Sequence, residues 1–318
     1  MAGLYAIIDL PHPHELPTDQ RFAALCEGAG PQGLAMCQLR FKSATSAQRR
    51  EALVGLGSAC LTAGVPLLVN DDVELALAGL PGVVGVHLGQ GDAGVDDVAG
   101  VRERADRAGL GRFRIGVSTH DVRQLRAAIA QRPDYIAYGP VLGTASKANP
   151  DPVVGFDGLA DACRITSTPV VAIGGLDPKA AHRAVAVGAT MVAVIGGLVA
   201  STAAATAAAA RAYVEAIDQA AQLLTAEQVN AQIPVMSVAT LTEIASWSDD
   251  LAVLAGLRLP TRFRPRVYGS SAYYRPSDVC DLLAAIGKRE DESWAQWTTR
   301  GDHGDASVVL LRRTNRPT

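Results

Sequence analysis

Aromatic side chains make up only 5% of the 318 residues, and cysteine is scarcer still. The five cysteines (Cys26, Cys37, Cys60, Cys163 and Cys280) are scattered, odd in number and without paired spacing. That excludes a disulfide framework and a zinc site and predicts reduced thiols. Neither sign of charge dominates, since 29 Lys and Arg against 32 Asp and Glu leave a net charge of -3. Such a balance argues against a general affinity for nucleic acid or for an anionic membrane. No uninterrupted apolar run reaches membrane-spanning length, because Ser, Thr and Arg break the Ala-rich run near residue 205. Met1-Ala2-Gly3 runs straight into an apparent strand, Leu4-Tyr5-Ala6-Ile7-Ile8, with no signal-peptide pattern. These features together predict a cytoplasmic protein. They leave oligomeric state open, a homo-oligomer included.

What the chain has is alternation. Short apolar runs and helical segments follow one another eight times, with strands read at 4–9, 34–40, 66–70, 84–89, 113–118, 135–139, 169–174 and 191–196. A helix is read over 46–63, with Ser46 placed to cap it and Gly64 to end it. Another is read over 121–131, with Asp121 at the N-cap and Pro133 just beyond. Asp177-Pro178 opens a third, with proline at the first helical position. Near-continuous hydrophobicity in the strands suits a parallel sheet covered by helices. Eight strand-helix units in roughly 220 residues fit a TIM-type (β/α)8 barrel better than an open doubly wound sheet.

Polar residues mark one end of these strands. Gln38, Arg40 and Lys42 follow the second, Asn70 and Asp71 the third, Gln90 and Asp92 the fourth, and Ser118 and His120 the fifth. After the sixth comes Gly139-Pro140 with Thr144, Ser146 and Lys147; the last two end in Gly174-Gly175 and Gly196-Gly197. In a parallel barrel all of these ends face one mouth, so residues far apart in sequence converge. Gln38, Arg40, Lys42 and Lys147 form a cationic, amide-bearing set suited to phosphate oxygens. Asp71 and Asp92, on consecutive strands, are placed to share an ion. Mg²⁺ suits them best, because it takes one or two carboxylates and completes its octahedron with water and phosphate oxygens. The glycine pairs after the last two strands sit where this fold usually holds a monophosphate. Two phosphate subsites imply two phosphorylated substrates.

The motifs Gln38-Leu39-Arg40-Phe41-Lys42, Val69-Asn70-Asp71-Asp72-Val73-Glu74-Leu75-Ala76, His87-Leu88-Gly89-Gln90-Gly91-Asp92 and Gly116-Val117-Ser118-Thr119-His120 resemble thiamine-phosphate synthase. So do Gly139-Pro140, Thr144-x-Ser146-Lys147 and Ile173-Gly174-Gly175-Leu176, in family order, over residues 1 to about 220. The resemblance implies a TIM barrel that joins hydroxymethylpyrimidine pyrophosphate to thiazole phosphate, with release of pyrophosphate. It implies Asp71 and Asp92 as Mg²⁺ ligands, and Gln38, Arg40, Lys42, Asn70, Ser118 and Lys147 as pyrophosphate residues. Arg40, Lys42, Ser118 and Lys147 are the expected catalytic set. Thr144, Ser146, Gly175 and Ile195-Gly196 are implied for the thiazole phosphate.

Two positions depart from the family pattern. Ile195-Gly196 stands where Ile-Ser is usual, and Leu142-Gly143 replaces an aromatic-proline pair. Both predict a weakened thiazole-phosphate site. A related thiazole tautomerase shares the barrel without needing pyrophosphate, but the intact Asp71, Asp92 and Lys147 weigh against it. A non-catalytic phosphate-ligand sensor, with the C-terminal region as its output module, is the alternative from another class.

Other residues have plainer readings. Asp72 and Glu74 serve the N-terminus of the following helix. Asp71 competes for a cap role, His87 reads as a hydrogen-bonded core histidine, and His120 reads as a loop-orienting residue. His12-Pro13-His14 reads as plain loop.

The domain boundary is read at 222. The Ala-rich stretch 201–224 closes the barrel as its last helix. Residues 223–318 read as a small α+β accessory region of unknown function that resembles no family. Helices are read there near 225–232, 237–256 and 277–287, and strands at 262–268 and 307–312. Arg262, Arg264 and Arg266 alternate as on one face of an edge strand, close to Tyr273-Tyr274.

Overall fold

The computed structural model describes residues 2–10, 16–41, 43–89, 98–144, 151–221, 224–225, 266–268 and 271–274. Eight parallel strands close on themselves in sequence order. They are β1 (Gly3–Leu10), β2 (Leu34–Phe41), β3 (Leu67–Asn70), β4 (Val83–Leu88), β5 (Arg114–Thr119), β6 (Tyr135–Tyr138), β7 (Val170–Ile173) and β8 (Met191–Val194). Closure comes from Gly3–Ala6 of β1 pairing with Met191–Val194 of β8. The open-sheet alternative is therefore excluded, and the fold is the α/β TIM-type barrel.

Helices cover the strands: α1 (Thr18–Gly33), α2 (Ser46–Ala63), α3 (Val73–Ala76), α4 (Val98–Arg107), α5 (Val122–Gln131), α6 (Gly155–Ile165), α7 (Pro178–Ala186) and α8 (Ala203–Ala221). Asp121 and Asp177 cap α5 and α7 as their positions predict, each accepting a backbone N–H three residues on at 2.7 Å. Gly64 ends α2 in the left-handed conformation. The cap of α2 is a correction. Thr45, not Ser46, is the N-cap, because its hydroxyl takes Gln48 N–H while the Gln48 side chain takes Thr45 N–H at 2.9 Å. This reciprocal capping box needs a Gln or Glu three residues after the cap, and only Thr45 has one.

Strand alternation sorts the side chains into two sets. One set fills the barrel: Tyr5 and Ile7, Met36, Leu68, Tyr135 and Ala137, Val171 and Ala193 pack together as one buried cluster. The other set, including Leu4, Leu39, Leu67, Val69 and Val192, is buried beneath the helices. A strand buried on both faces has no polar alternation, which explains the continuous apolar runs.

The chain divides into two units, Met1–Ala221 and Gln222–Thr318. In the second, β9 (Leu224–Thr225), β10 (Arg266–Tyr268) and β11 (Ser271–Tyr274) form an antiparallel sheet in the order β10-β11-β9. Arg266 does lie in a strand, opposite Tyr273. The helix read from 225 is corrected at its start, since Thr225 pairs with Tyr273 as a strand. The other elements read beyond 225, Arg262 and Arg264 included, lie outside the described residues, as does His12-Pro13-His14.

Candidate active site

The inward-facing rows of β1, β2, β3 and β5 turn polar toward their C-terminal ends. Two residues beyond the core residues Ile7, Met36 and Leu68, and beyond Gly116 on β5, come Asp9, Gln38 (with Arg40 next), Asn70 and Ser118. All of these lie toward the C-terminal ends of their strands, the end where this fold keeps its chemistry. Asp9 pairs in register with Arg40 across β1 and β2. Its carboxylate, only 2% exposed, accepts from Arg40 Nε at 2.5 Å and from Nη2 at 2.8 Å. A two-point contact of this kind fixes the plane and direction of the guanidinium, which a single contact would not.

Gln38, also buried, donates through Nε2 to the Tyr5 hydroxyl at 2.6 Å. The Tyr5 hydroxyl lies 2.9 Å from that of Tyr135, which lies 2.8 Å from His87 Nδ1. His87 Nε2 lies 2.8 Å from Ser118 Oγ. A continuous line of hydrogen bonds thus crosses the barrel interior from Gln38 to Ser118. Burial lowers the His87 imidazole to about 4, so it is neutral, and raises both phenols above their usual range, so they keep their protons. His87 is therefore the hydrogen-bonded interior histidine that its strand position suggests.

Asp71 follows β3 at the left-handed φ of 61°, an uncommon conformation for a residue other than glycine. That turn carries its exposed carboxylate over to the end of β4, where Oδ1 accepts Gly89 N–H at 2.8 Å. Asn70 Nδ2 donates to its other oxygen. The cap reading belongs to Asp72, which accepts Leu75 N–H at 3.1 Å at the start of α3 and pairs with Arg49 at 3.3 Å. Glu74, in the first turn of α3, pairs with Arg104. His120 donates from Nδ1 to the Gly139 carbonyl at 2.6 Å and faces Asp151 at 3.4 Å, which ties the loops after β5 and β6 together.

The second half of the mouth lies over β6, β7 and β8. The segment from Val141 to Thr144 folds onto the end of β7, with Leu142 N–H on the Gly174 carbonyl at 3.0 Å. Gly174 and Gly175 have φ of 100° and 67°, and a Cβ at Gly175 would strike the Gly143 carbonyl. Glycine is thus required at Gly175 both by backbone conformation and by close approach. Ile195 and Gly196 follow β8, where Gly196 starts a 3-10 turn, Gly196–Leu198, and is exposed. Thr144, Gly175, Ile195 and Gly196 therefore sit on three consecutive strand ends.

Among the predicted site residues, Lys42, Asp92, Ser146 and Lys147 lie outside the described residues, as does Gln90. Among the described residues no three His, Cys, Asp or Glu gather as metal ligands. A cavity of about 350 Å³ lies at the opposite end of the barrel, near the starts of β3, β4 and β5. Cys60, Arg112 and Arg114 line it together with mostly apolar residues and glycines. The sequence reading missed Asp9, whose signal was an acid ending an otherwise apolar strand. It also missed Tyr5 and Tyr135, which carry no local signal at all.

Fold and strand-end chemistry together define a class: a TIM-type α/β barrel with its polar groups gathered at the C-terminal mouth. The family model for thiamine monophosphate synthase matches residues 4–198, and the chain belongs to that family. It is 38% identical over 200 residues to the thiamine-phosphate synthase of Koribacter versatilis, covering 61% of this chain and 88% of that protein. With the thiamine-phosphate synthase of Chloroflexus aurantiacus it shares 34% identity over 178 residues, 56% of this chain and 78% of that one. The fold matches thiamine phosphate pyrophosphorylase from Pyrococcus furiosus at a TM-score of 0.56 and 23% identity, covering 69% and 96% of the two chains. No described helix is long and apolar enough to cross a membrane.

Proposed function

We propose that the barrel is a transferase of thiamine biosynthesis. It would join 4-amino-2-methyl-5-hydroxymethylpyrimidine pyrophosphate to 4-methyl-5-hydroxyethylthiazole phosphate. The bond between the pyrimidine methylene and the pyrophosphate oxygen breaks, and its electron pair leaves with pyrophosphate. The thiazole nitrogen supplies the pair for the new C–N bond, giving thiamine phosphate. A ring nitrogen held at the methylene needs no general base and no covalent nucleophile on the protein. The observation that carries the reading is the family match, which spans every strand end bearing a site residue.

Within this scheme Gln38, Arg40, Lys42, Asn70, Ser118 and Lys147 hold the diphosphate and stabilise the charge that builds on it as it departs. Thr144, Ser146, Gly175 and the Ile195-Gly196 segment hold the thiazole phosphate. The exposed Asp71 carboxylate, aimed at the end of β4, fits a role as one ligand of Mg²⁺, with Asp92 as the second. Bound there, Mg²⁺ would supply neutralisation of the diphosphate. The scattered thiols, free at Cys26, Cys37, Cys60 and Cys163, favour a cytoplasmic setting. We assign 223–318 as an accessory region that the transfer reaction does not require.

The test is to mix both phosphorylated substrates with Mg²⁺ and the full chain. Thiamine phosphate and pyrophosphate should appear in equal amounts, and neither should appear when either substrate is omitted. Binding of both substrates without product would support a sensor instead.

A further inference from the structure

The line of hydrogen bonds through the barrel has a direction. A phenol has one hydrogen to give, so in an unbranched chain of hydroxyls each group accepts on one side and donates on the other. Only two arrangements exist, and the group at one end selects between them. Here that group is Gln38, whose Nε2 donates to Tyr5 at 2.6 Å. Tyr5 then donates to Tyr135 across 2.9 Å, and Tyr135 donates to His87 Nδ1 across 2.8 Å. His87 is left with its proton on Nε2, which it donates to Ser118 Oγ across 2.8 Å. Ser118, half-buried at the end of β5, thus has one lone pair of its oxygen engaged by His87 and its own hydrogen directed elsewhere.

We propose that the buried chain Gln38–Tyr5–Tyr135–His87–Ser118 acts as a polarised relay that makes Ser118 an obligate hydrogen-bond donor to the diphosphate substrate. This rests on the proposed function and adds three positioning residues, Tyr5, Tyr135 and His87. The opposite polarity would turn the serine hydrogen inward onto His87, leaving an oxygen lone pair to face an anion. The polarity is set at the other end of the line, by the buried Gln38. Packing holds the rings in place. The Tyr5 and Tyr135 rings meet edge to face with centroids 5.9 Å apart, and His87 stacks on Tyr135 at 5.6 Å. Gly116 makes room for the line, because a Cβ there would strike the Tyr135 ring and hydroxyl.

Two measurements test the relay. ¹⁵N NMR of the ligand-free full chain should find His87 neutral and protonated on Nε2, and Tyr135→Phe should move it toward a mixture of tautomers. A wild-type His87 protonated on Nδ1 would overturn the proposal, whatever the enzyme's reaction proves to be. In the second, Tyr135→Phe should lower kcat/KM for the pyrimidine pyrophosphate by about tenfold or more, and Tyr5→Phe by less. In a Ser118→Ala background the same Tyr135→Phe change should alter kcat/KM by less than about twofold, since the relay then has nothing to orient. Equal losses in both backgrounds would show that the phenol acts through the fold and not through Ser118. Should Tyr135→Phe fail to fold, Tyr5→Phe is carried through the same cycle and judged by the same two outcomes. Absence of thiamine phosphate from the wild type would sink the function and leave the tautomer result standing.

Discussion

Asp9 and Arg40 face each other across β1 and β2, and the carboxylate grips the guanidinium at two points, 2.5 and 2.8 Å. The pair is asymmetric: Asp9 is 2% exposed, whereas the arginine side chain is 23% exposed. Arg40 therefore reaches toward the mouth from an anchor that lies below it.

The asymmetry predicts different outcomes for the two halves of the pair. Asp9→Asn releases Arg40 toward water and should raise KM for the pyrimidine pyrophosphate about tenfold, at a stability cost of roughly 1–3 kcal/mol. Arg40→Leu strips the cation from a buried carboxylate and should destabilise by roughly 3–5 kcal/mol as well as abolish turnover. Urea unfolding together with steady-state kinetics checks both. Equal stability losses would contradict the anchoring arrangement.

Burial gives stability a defined pH dependence. His87 drops from 6.5 to about 4 on folding, so between those values the unfolded chain binds the proton and the folded chain does not. This contribution is fully present above pH 6.5 and is lost as pH falls toward 4, by up to roughly 3 kcal/mol. Denaturant midpoints taken across that window should fall more steeply for wild type than for His87→Gln. Parallel curves would count against the neutral, buried imidazole.

Much of the barrel is legible in sequence because a strand buried on both faces leaves a continuous apolar run, and the polar residue that ends it marks the mouth. Asp121 and Asp177 are legible as caps because capping is settled within three residues. The Ser46 reading missed because the deciding signal was Gln48, three residues after Thr45. What the sequence hides depends on register: Asp9 and Arg40 are 31 residues apart, and Tyr5 and Tyr135 are 130 apart. Neither partner carries a local trace of the other. The same holds for Leu224–Thr225, whose strand character comes from pairing with Tyr273 and Tyr274 and not from its neighbours.

Gly196 gives a prediction in the favourable direction. Its φ lies outside the left-handed region, and among the described residues nothing lies within 4 Å of where its Cβ would stand. Gly196→Ser should therefore fold as wild type, within about 0.5 kcal/mol. The new hydroxyl should lower KM for thiazole phosphate about tenfold, with kcat little changed. An unchanged KM would refute the idea that the missing hydroxyl weakens this subsite.

Residues Met1–Ala221 form one unit that contains the whole closed barrel. A chain ending at Ala221 should keep most of the turnover of the full protein. A truncate with wild-type circular dichroism and a lost kcat would assign 223–318 a part in the reaction.

The most direct test of the account is the Mg²⁺ dependence of Asp71→Asn. The exchange keeps an oxygen acceptor for Gly89 N–H but removes the charge proposed to hold the ion. The Mg²⁺ concentration giving half-maximal product formation should rise about tenfold or more, with KM for thiazole phosphate unchanged. An Asp71→Asn enzyme with wild-type Mg²⁺ dependence would contradict the proposed carboxylate site.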